Sequence, residues 1–199
     1  MLPWFVQWQA ASPLSFEIVA QGVGYIGLLF GVLSCQLKQH KHILLCKTLN
    51  ELVFGLQYLM LGAYTGLVMN SIGCVRNTVF SEQVKRGKST VVAQIVFSVL
   101  FVVLGLLFRS ESVIACLIVI FSKIGTTVAY GLKNTTLLRL LTFPTYIGWL
   151  VYDIVCGSQA GILNQIFVTV SLTIAIVRLD IIPYIRRRQN GLTSSEKTV

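Results

Sequence analysis

The segment VVAQIVFSVLFVVLGLLF, residues 91–108, carries one amide, one serine and no charge. A run of that length crosses the hydrocarbon of a bilayer as a helix. Inside hydrocarbon, backbone polar groups must be satisfied by the segment itself, which leaves helices and closed barrels as spanning structures. The rest of the chain repeats the pattern. Of its 199 residues, 55% are hydrophobic and 12% are charged, about half the charged fraction of a soluble domain. The apolar residues come in long runs and not at helical or strand spacing. The sequence reads as an all-α integral membrane protein embedded in a lipid bilayer.

Seven spans are expected, near residues 16–37, 43–63, 65–84, 90–108, 112–131, 136–156 and 160–182. The breaks between them are KQHKH, GAYTG, SEQVKRGK, RSES, GLKNTT and GSQAG. The third span is the least apolar. Basic residues collect in alternate connections: Lys38 and Lys41 after span one, Lys85, Arg86 and Lys88 after span three, Lys133 after span five, and Arg186, Arg187 and Arg188 in the tail. The other connections hold only Arg109. The positive-inside rule then puts the N-terminus outside and the C-terminus in the cytoplasm, as an odd number of spans requires. This placement accounts for the net charge of +9 without nucleic acid as a partner.

Other classes find little support. Cys35, Cys46, Cys74, Cys116 and Cys156 form no CxxC pair or metal spacing, so neither disulfide, metal nor cofactor is expected. No GxSxG, HExxH or Walker motif occurs, and no enzyme is expected. Residues 1–15 contain no Lys or Arg and make a poor secretory signal. Trp4, Phe5 and Trp8 suit an interfacial anchor.

The chain also repeats itself. At an offset of 94, Thr48 meets Thr142, Leu56 meets Leu150, Tyr58 meets Tyr152, Asn70 meets Asn164 and Ile72 meets Ile166. The same offset superimposes spans one to three on spans five to seven and leaves span four as a linker. The expected plan is a first repeat at 16–84, a linker helix at 90–108, a second repeat at 112–182 and a basic tail at 183–199. Both triplets then enter the membrane in the same direction, a parallel 3+1+3 arrangement related by an axis along the membrane normal.

Three stretches, QGVGYIGLLFG (21–31), QYLMLGAYTGLVMNSIGCVRNTVF (57–80) and GWLVYDIVCGSQAGILNQIFVTVSLTIAIVRLD (148–180), resemble the YgjV-type bacterial inner-membrane proteins, grouped with the SWEET and PQ-loop transporters. The resemblance implies the bacterial inner membrane and a solute carrier that alternates around a central site. It also implies an asparagine on each of spans three and seven. The Pro-Gln pair of the superfamily is absent. Pro144 is followed by Thr145, and Asn50-Glu51 stands at the equivalent place in the first repeat. A proline kink is therefore expected only in span six.

Polar residues in hydrocarbon are functional candidates, because each is costly unless partnered. Asn70 and Asn164 are expected face to face across a central cavity, where amides could grip a small polar solute; the bland alternative is an interhelical hydrogen bond. Tyr58, Trp149 and Tyr152 could stack on a ring or sugar, or belong to the interfacial aromatic belt. Glu51, Arg76 and Lys123 each lie about eight residues from the inner end of their spans, about 12 Å deep. One acid and two bases at one depth point to a paired network serving as a gate, an anion-attracting site or a structural ion pair. Asp153, near the outer end of span six, reaches water or couples protons. Pro144 is a hinge or a static bend. Arg178 and Asp180 read as structural groups at the inner end of span seven. Gly22, Gly24, Gly27 and Gly31 form a small-residue face for close helix packing.

The function expected is a carrier moving a small polar solute between the two repeats. The alternative is a membrane scaffold or accessory subunit that transports nothing. A monomer would be complete, and homo-oligomers are compatible with the sequence.

Overall fold

A computed structural model describes residues 13–185. Trp4, Phe5, Trp8, Arg186, Arg187 and Arg188, and the roles expected for them, lie outside the described residues. Among the described residues eight α-helices follow one another: α1 Pro13–Gln36, α2 His40–Met60, α3 Tyr64–Lys85, α4 Val91–Leu107, α5 Val113–Tyr130, α6 Thr135–Thr142, α7 Thr145–Val155 and α8 Gln159–Ile176. A π-helical turn, Val177–Ile181, ends α8.

Four helices are long and apolar enough to cross a membrane by length and composition: α1, α2, α5 and α8 with its extension to Ile185. The remaining helices fall short for identifiable reasons. Helix α4 is apolar but has 17 residues. Helix α3 has 22 residues but buries Asn70, Arg76 and Asn77. Helices α6 and α7 occupy the sixth expected span, which Pro144 divides. Proline has no N–H to donate and its ring crowds the preceding turn. Thr145 Oγ1 donates to Thr142 O at 2.7 Å, and Thr142 Oγ1 donates to Leu138 O and Arg139 O. The threonines flanking the proline thus occupy carbonyls at the break.

The molecule buries many polar side chains beside its apolar core and exposes many large apolar ones. Ile18, Leu29, Val92, Ile95, Phe121 and Ile147 are exposed, whereas Gln57, Arg76, Asn77, Thr127 and Asp153 are completely buried. Water would favour the reverse, so this distribution suits a hydrocarbon surround. The helices pack in chain order around a ring. α1 lies against α2, α2 against α3, α5 against α6 and α7, α7 against α8, and α8 returns to α1. Helix α4 packs on both α3 and α5 and buries only Phe97, Phe101 and Gly105.

The internal repeat is visible in burial and turn geometry, but its offset is 95, one more than identities suggest. Gly62 ends the α2 turn with φ +74°, and Gly157 ends the α7 turn with φ +67°. Both turns are closed alike, by Ala63 N–H donating to Tyr58 O and Ser158 N–H donating to Asp153 O, each at 2.9 Å. This is the glycine-terminated helix end, in which a left-handed residue lets the chain reverse. Shifted by 95, every buried residue of α3 falls on a buried residue of α8: Thr65 on Ala160, Gly66 on Gly161, Met69 on Asn164, Asn70 on Gln165, and so on to Phe80 on Ala175. The buried faces of α1 and α5, and of α2 and α6–α7, coincide almost as fully. The structural counterpart of Asn70 is therefore Gln165, not Asn164, and that of Arg76 is Ser171.

Three of the four glycines on α1 make the expected close approach. A Cβ at Gly24 would lie 2.6 Å from that of Ala160. One at Gly27 would lie 2.8 Å from the Phe54 ring. One at Gly31 would strike Asn164 and Val168. Gly22 faces open space. Gly31→Val should therefore overpack the α1–α8 contact by about 1–3 kcal/mol, read as a fall in melting temperature in detergent. Gly22→Ala should leave it unchanged or slightly raised.

Candidate functional site

Helices α2, α3 and α5 each send one charged side chain to a common point. Glu51 Oε1 lies 2.8 Å from Arg76 Nη2 and 3.1 Å from Lys123 Nζ. The structure thus joins the acid and the two bases expected at one depth. Arg76 has no exposed surface. Its remaining donors are taken by Asn77 Oδ1, Thr126 Oγ1 and Thr127 Oγ1 at 2.9–3.1 Å. Its guanidinium lies over the rings of Tyr130 and Phe101, 4.9 and 5.5 Å from their centres. Lys123 Nζ lies 4.9 Å from the Trp149 ring centre and donates to Asn70 Oδ1 at 3.4 Å. Ring faces are negative, so they supplement the single carboxylate for two cations. Gly73 makes room for the acid, because a Cβ there would collide with the Glu51 carboxylate.

A second buried ammonium stands nearby. Lys47 is 6% exposed, and its Nζ donates to Tyr146 Oη at 2.9 Å. Among the described residues it makes no ion pair with a carboxylate. Lys47 and Lys123 border one cavity, together with Glu51, Asn50, Asn70, Asn164, Gln165, Tyr58, Tyr146 and Trp149. These residues come from α2, α3, α5, α7 and α8, so the cavity lies between the two halves of the chain. Its volume is about 40 Å³, room for a few water molecules. Three acceptor oxygens of residues that line it, Glu51 Oε2, Asn164 Oδ1 and Gln165 Oε1, have no hydrogen-bond partner among the described residues.

Asn70 and Asn164 both reach this cavity. Asn70 is held, its Nδ2 donating to Gly66 O at 2.9 Å. Asn164 sits against Gly31 and Val168 with its carbonyl unpaired. The aromatic residues divide. Tyr58 and Trp149 line the cavity with their rings stacked, centres 6.2 Å apart and planes inclined by 23°. Tyr152 stands behind them, edge-on to both, and donates to Glu111 Oε1 at 3.0 Å.

Asp153 departs from the expectation that it reaches water. It is completely buried. The Tyr58 hydroxyl donates to its Oδ1, and Gln165 Nε2 donates to its Oδ2 at 3.0 Å. Two cavity-lining residues therefore separate it from the cavity. Gly161 admits it, since a Cβ there would strike Oδ1. Pro144 stands at the α6–α7 break, two residues before Tyr146. At the end of the bundle bearing the lysine-rich connections, Arg139 clasps Asp180 with Nη1 at 3.0 and 3.1 Å and donates through Nη2 to Leu37 O. Arg178 donates to Gln36 Oε1 at 2.7 Å. Both contacts tie the end of α8 to its neighbours, and Asp180 lies within the π-helical turn.

Lys47, Asn50 and Gln165 belong to the site and were not singled out by the sequence. Lys47 lies near the basic KQHKH connection, where a lysine reads as a topological charge. The helical spacing that puts Lys47 and Glu51 on one face of α2 with Ile43 and Phe54 was the available signal.

A family of bacterial inner membrane proteins, Imp-YgjV, has a family model that matches residues 18–181. The chain belongs to this family. The matched span includes every residue of the cavity wall. No curated protein and no solved structure matches the chain. Membership and the apolar exterior together fit a multi-pass protein of the bacterial inner membrane.

Removing the shared acid should unmask the cost of two buried cations. Glu51→Gln should lower unfolding stability by about 3–5 kcal/mol. Arg76→Met should also destabilise, and the double variant should lose clearly less than the sum of the two. Denaturant unfolding in detergent measures all three, and additive losses would show that the pair is not coupled.

Proposed function

We propose that the chain is a membrane carrier of the SWEET/PQ-loop type, moving a small polar solute by alternating access. One observation supports this above the rest: a polar cavity lies between two halves whose buried faces repeat at an offset of 95. In this reading the chain spans the membrane seven times, as two parallel three-helix repeats, α1–α3 and α5–α8, with α6 and α7 forming one broken span. Helix α4 is the linker. The offset relates the α8–α1 contact to the α3–α5 contact, as a two-fold axis along the membrane normal requires. The N-terminus faces outward and the C-terminus the cytoplasm.

Each part of the site then has a task. Asn70, Asn164 and Gln165 hold the solute through amides. Tyr58 and Trp149 supply a ring face. Tyr152 positions these two from behind. Glu51, Arg76 and Lys123 close the cavity on the cytoplasmic side. Pro144 is the hinge about which α7 carries Tyr146 and Trp149 toward or away from the wall. Asp153, linked to the cavity through Tyr58 and Gln165, is the group through which protons couple to solute movement. The cavity of about 40 Å³ has room for a few water molecules, so in this reading it widens to admit the solute.

Two measurements test this reading. Reporter fusions at Gly62 and Gly157 should mark the periplasmic side, and fusions at Lys88 and Lys133 the cytoplasmic side. Matching sidedness of all four connections would remove the seven-span plan. Purified protein should be stabilised by at least one member of a panel of small polar metabolites, by about 2–4 °C per kcal/mol of binding energy. Asn70→Ala and Asn164→Ala should weaken that shift. A protein that responds to no solute, and whose asparagine variants merely unfold, is a scaffold instead.

A further inference from the structure

The polar interior of the bundle does not balance its charge. Apart from Arg139, which Asp180 pairs, Lys47, Arg76 and Lys123 bring three buried cations, against the carboxylates of Glu51 and Asp153. Even with both acids ionised, one positive charge is left over. Asp153 makes no ion pair among the described residues, so the excess concentrates where Lys47 and Lys123 border the cavity. A buried charge without a counter-charge is unfavourable by several kcal/mol. The geometry also says which cation lacks its partner. Arg76 has its donors filled and lies behind the wall. Lys47 has one hydroxyl and no carboxylate.

The wall makes a second, opposite demand. Glu51 Oε2, Asn164 Oδ1 and Gln165 Oε1 are buried acceptors without donors. A bare anion would neutralise Lys47 but leave these oxygens unpaired. A neutral polyol would serve the oxygens but leave the charge. We infer that the site takes a small hydroxycarboxylate, its carboxylate between Lys47 and Lys123 and its hydroxyl donating to the unpaired oxygens of Asn164, Gln165 or Glu51. Carboxylate is favoured over phosphate because one positive charge is left over, which a carboxylate balances and the charge of about −1.5 to −2 on a phosphate monoester exceeds. This inference names the substrate class of the carrier proposed above and rests on that reading.

Trp149 gives the test a local signal, since Lys123 sits over its ring. The chain has three tryptophans, and replacing Trp4 and Trp8 with phenylalanine leaves Trp149 as the sole emitter. In that background glycolate, acetate and glycolamide are titrated at constant ionic strength. They are similar in size and differ by the hydroxyl and the charge. Glycolate should change the emission saturably, acetate should bind more weakly, and glycolamide more weakly still. Lys47→Met should weaken glycolate binding by about 10-fold or more, the range of a charge-assisted hydrogen bond. Glycolamide binding as well as glycolate, or glycolate binding unaltered by Lys47→Met, overturns the inference. If neutral solutes bind with dependence on Asn70 while no carboxylate does, the anion class falls and the carrier stands. If no solute binds and Lys47→Met raises the melting temperature, both fall.

Discussion

One carboxylate oxygen, Glu51 Oε1, holds two cations from two other helices in the buried interior. In such surroundings attraction between charges is strong, and so is the penalty for leaving any of them alone. The contact therefore fixes more than a distance. It sets how α2, α3 and α5 are rotated about their own axes, because each must present one particular residue to the same point. Asn77, Thr126 and Thr127 complete the coordination of Arg76, and the ring of Trp149 receives Lys123. The cavity wall is built outward from this knot.

Around it the two halves share a frame but not a chemistry. Position for position, α3 and α8 bury the same face. Yet Arg76 corresponds to Ser171, Glu51 to Tyr146 and Lys47 to Thr142. Charges gather in the first repeat, while the second contributes hydroxyls, amides and Trp149. Lys123, Arg139 and Asp153 are the exceptions, and Lys123, on α5, is the residue by which the second half enters the ion pair with Glu51. Symmetry thus explains where side chains point, and its violation explains what they can bind.

The membrane class, the breaks between helices and the meeting of Glu51, Arg76 and Lys123 were legible in the sequence. They depend on run length and on depth, both of which are one-dimensional. The repeat offset was not. Chance identities among apolar residues favoured 94, whereas the paired glycines, Gly62 with Gly157 and Gly66 with Gly161, mark 95. They are the surer guide, because a turn with positive φ and a close approach each demand glycine. That one-residue error assigned Asn164 as the partner of Asn70 and passed over Gln165. Asp153 misled because nearness to a helix end was taken for access to water; the Tyr58 hydroxyl and Gln165 cover it. The π-helical turn at Val177–Ile181 left no mark that local propensity could reveal; Asp180 within it pairs with Arg139, which is distant in sequence.

Gly73 has a bearing on motion. The Glu51 carboxylate occupies the volume in which a side chain on α3 would otherwise begin. The acid is therefore wedged against the backbone of the neighbouring helix, and its position is set by the gap between α2 and α3. Were that gap to widen, the carboxylate would gain freedom to turn and the hold on Arg76 and Lys123 would slacken. Helix separation and charge pairing are in this way one mechanical coordinate, and a displacement of α3 relative to α2 would be felt at once as a change of electric potential inside the cavity.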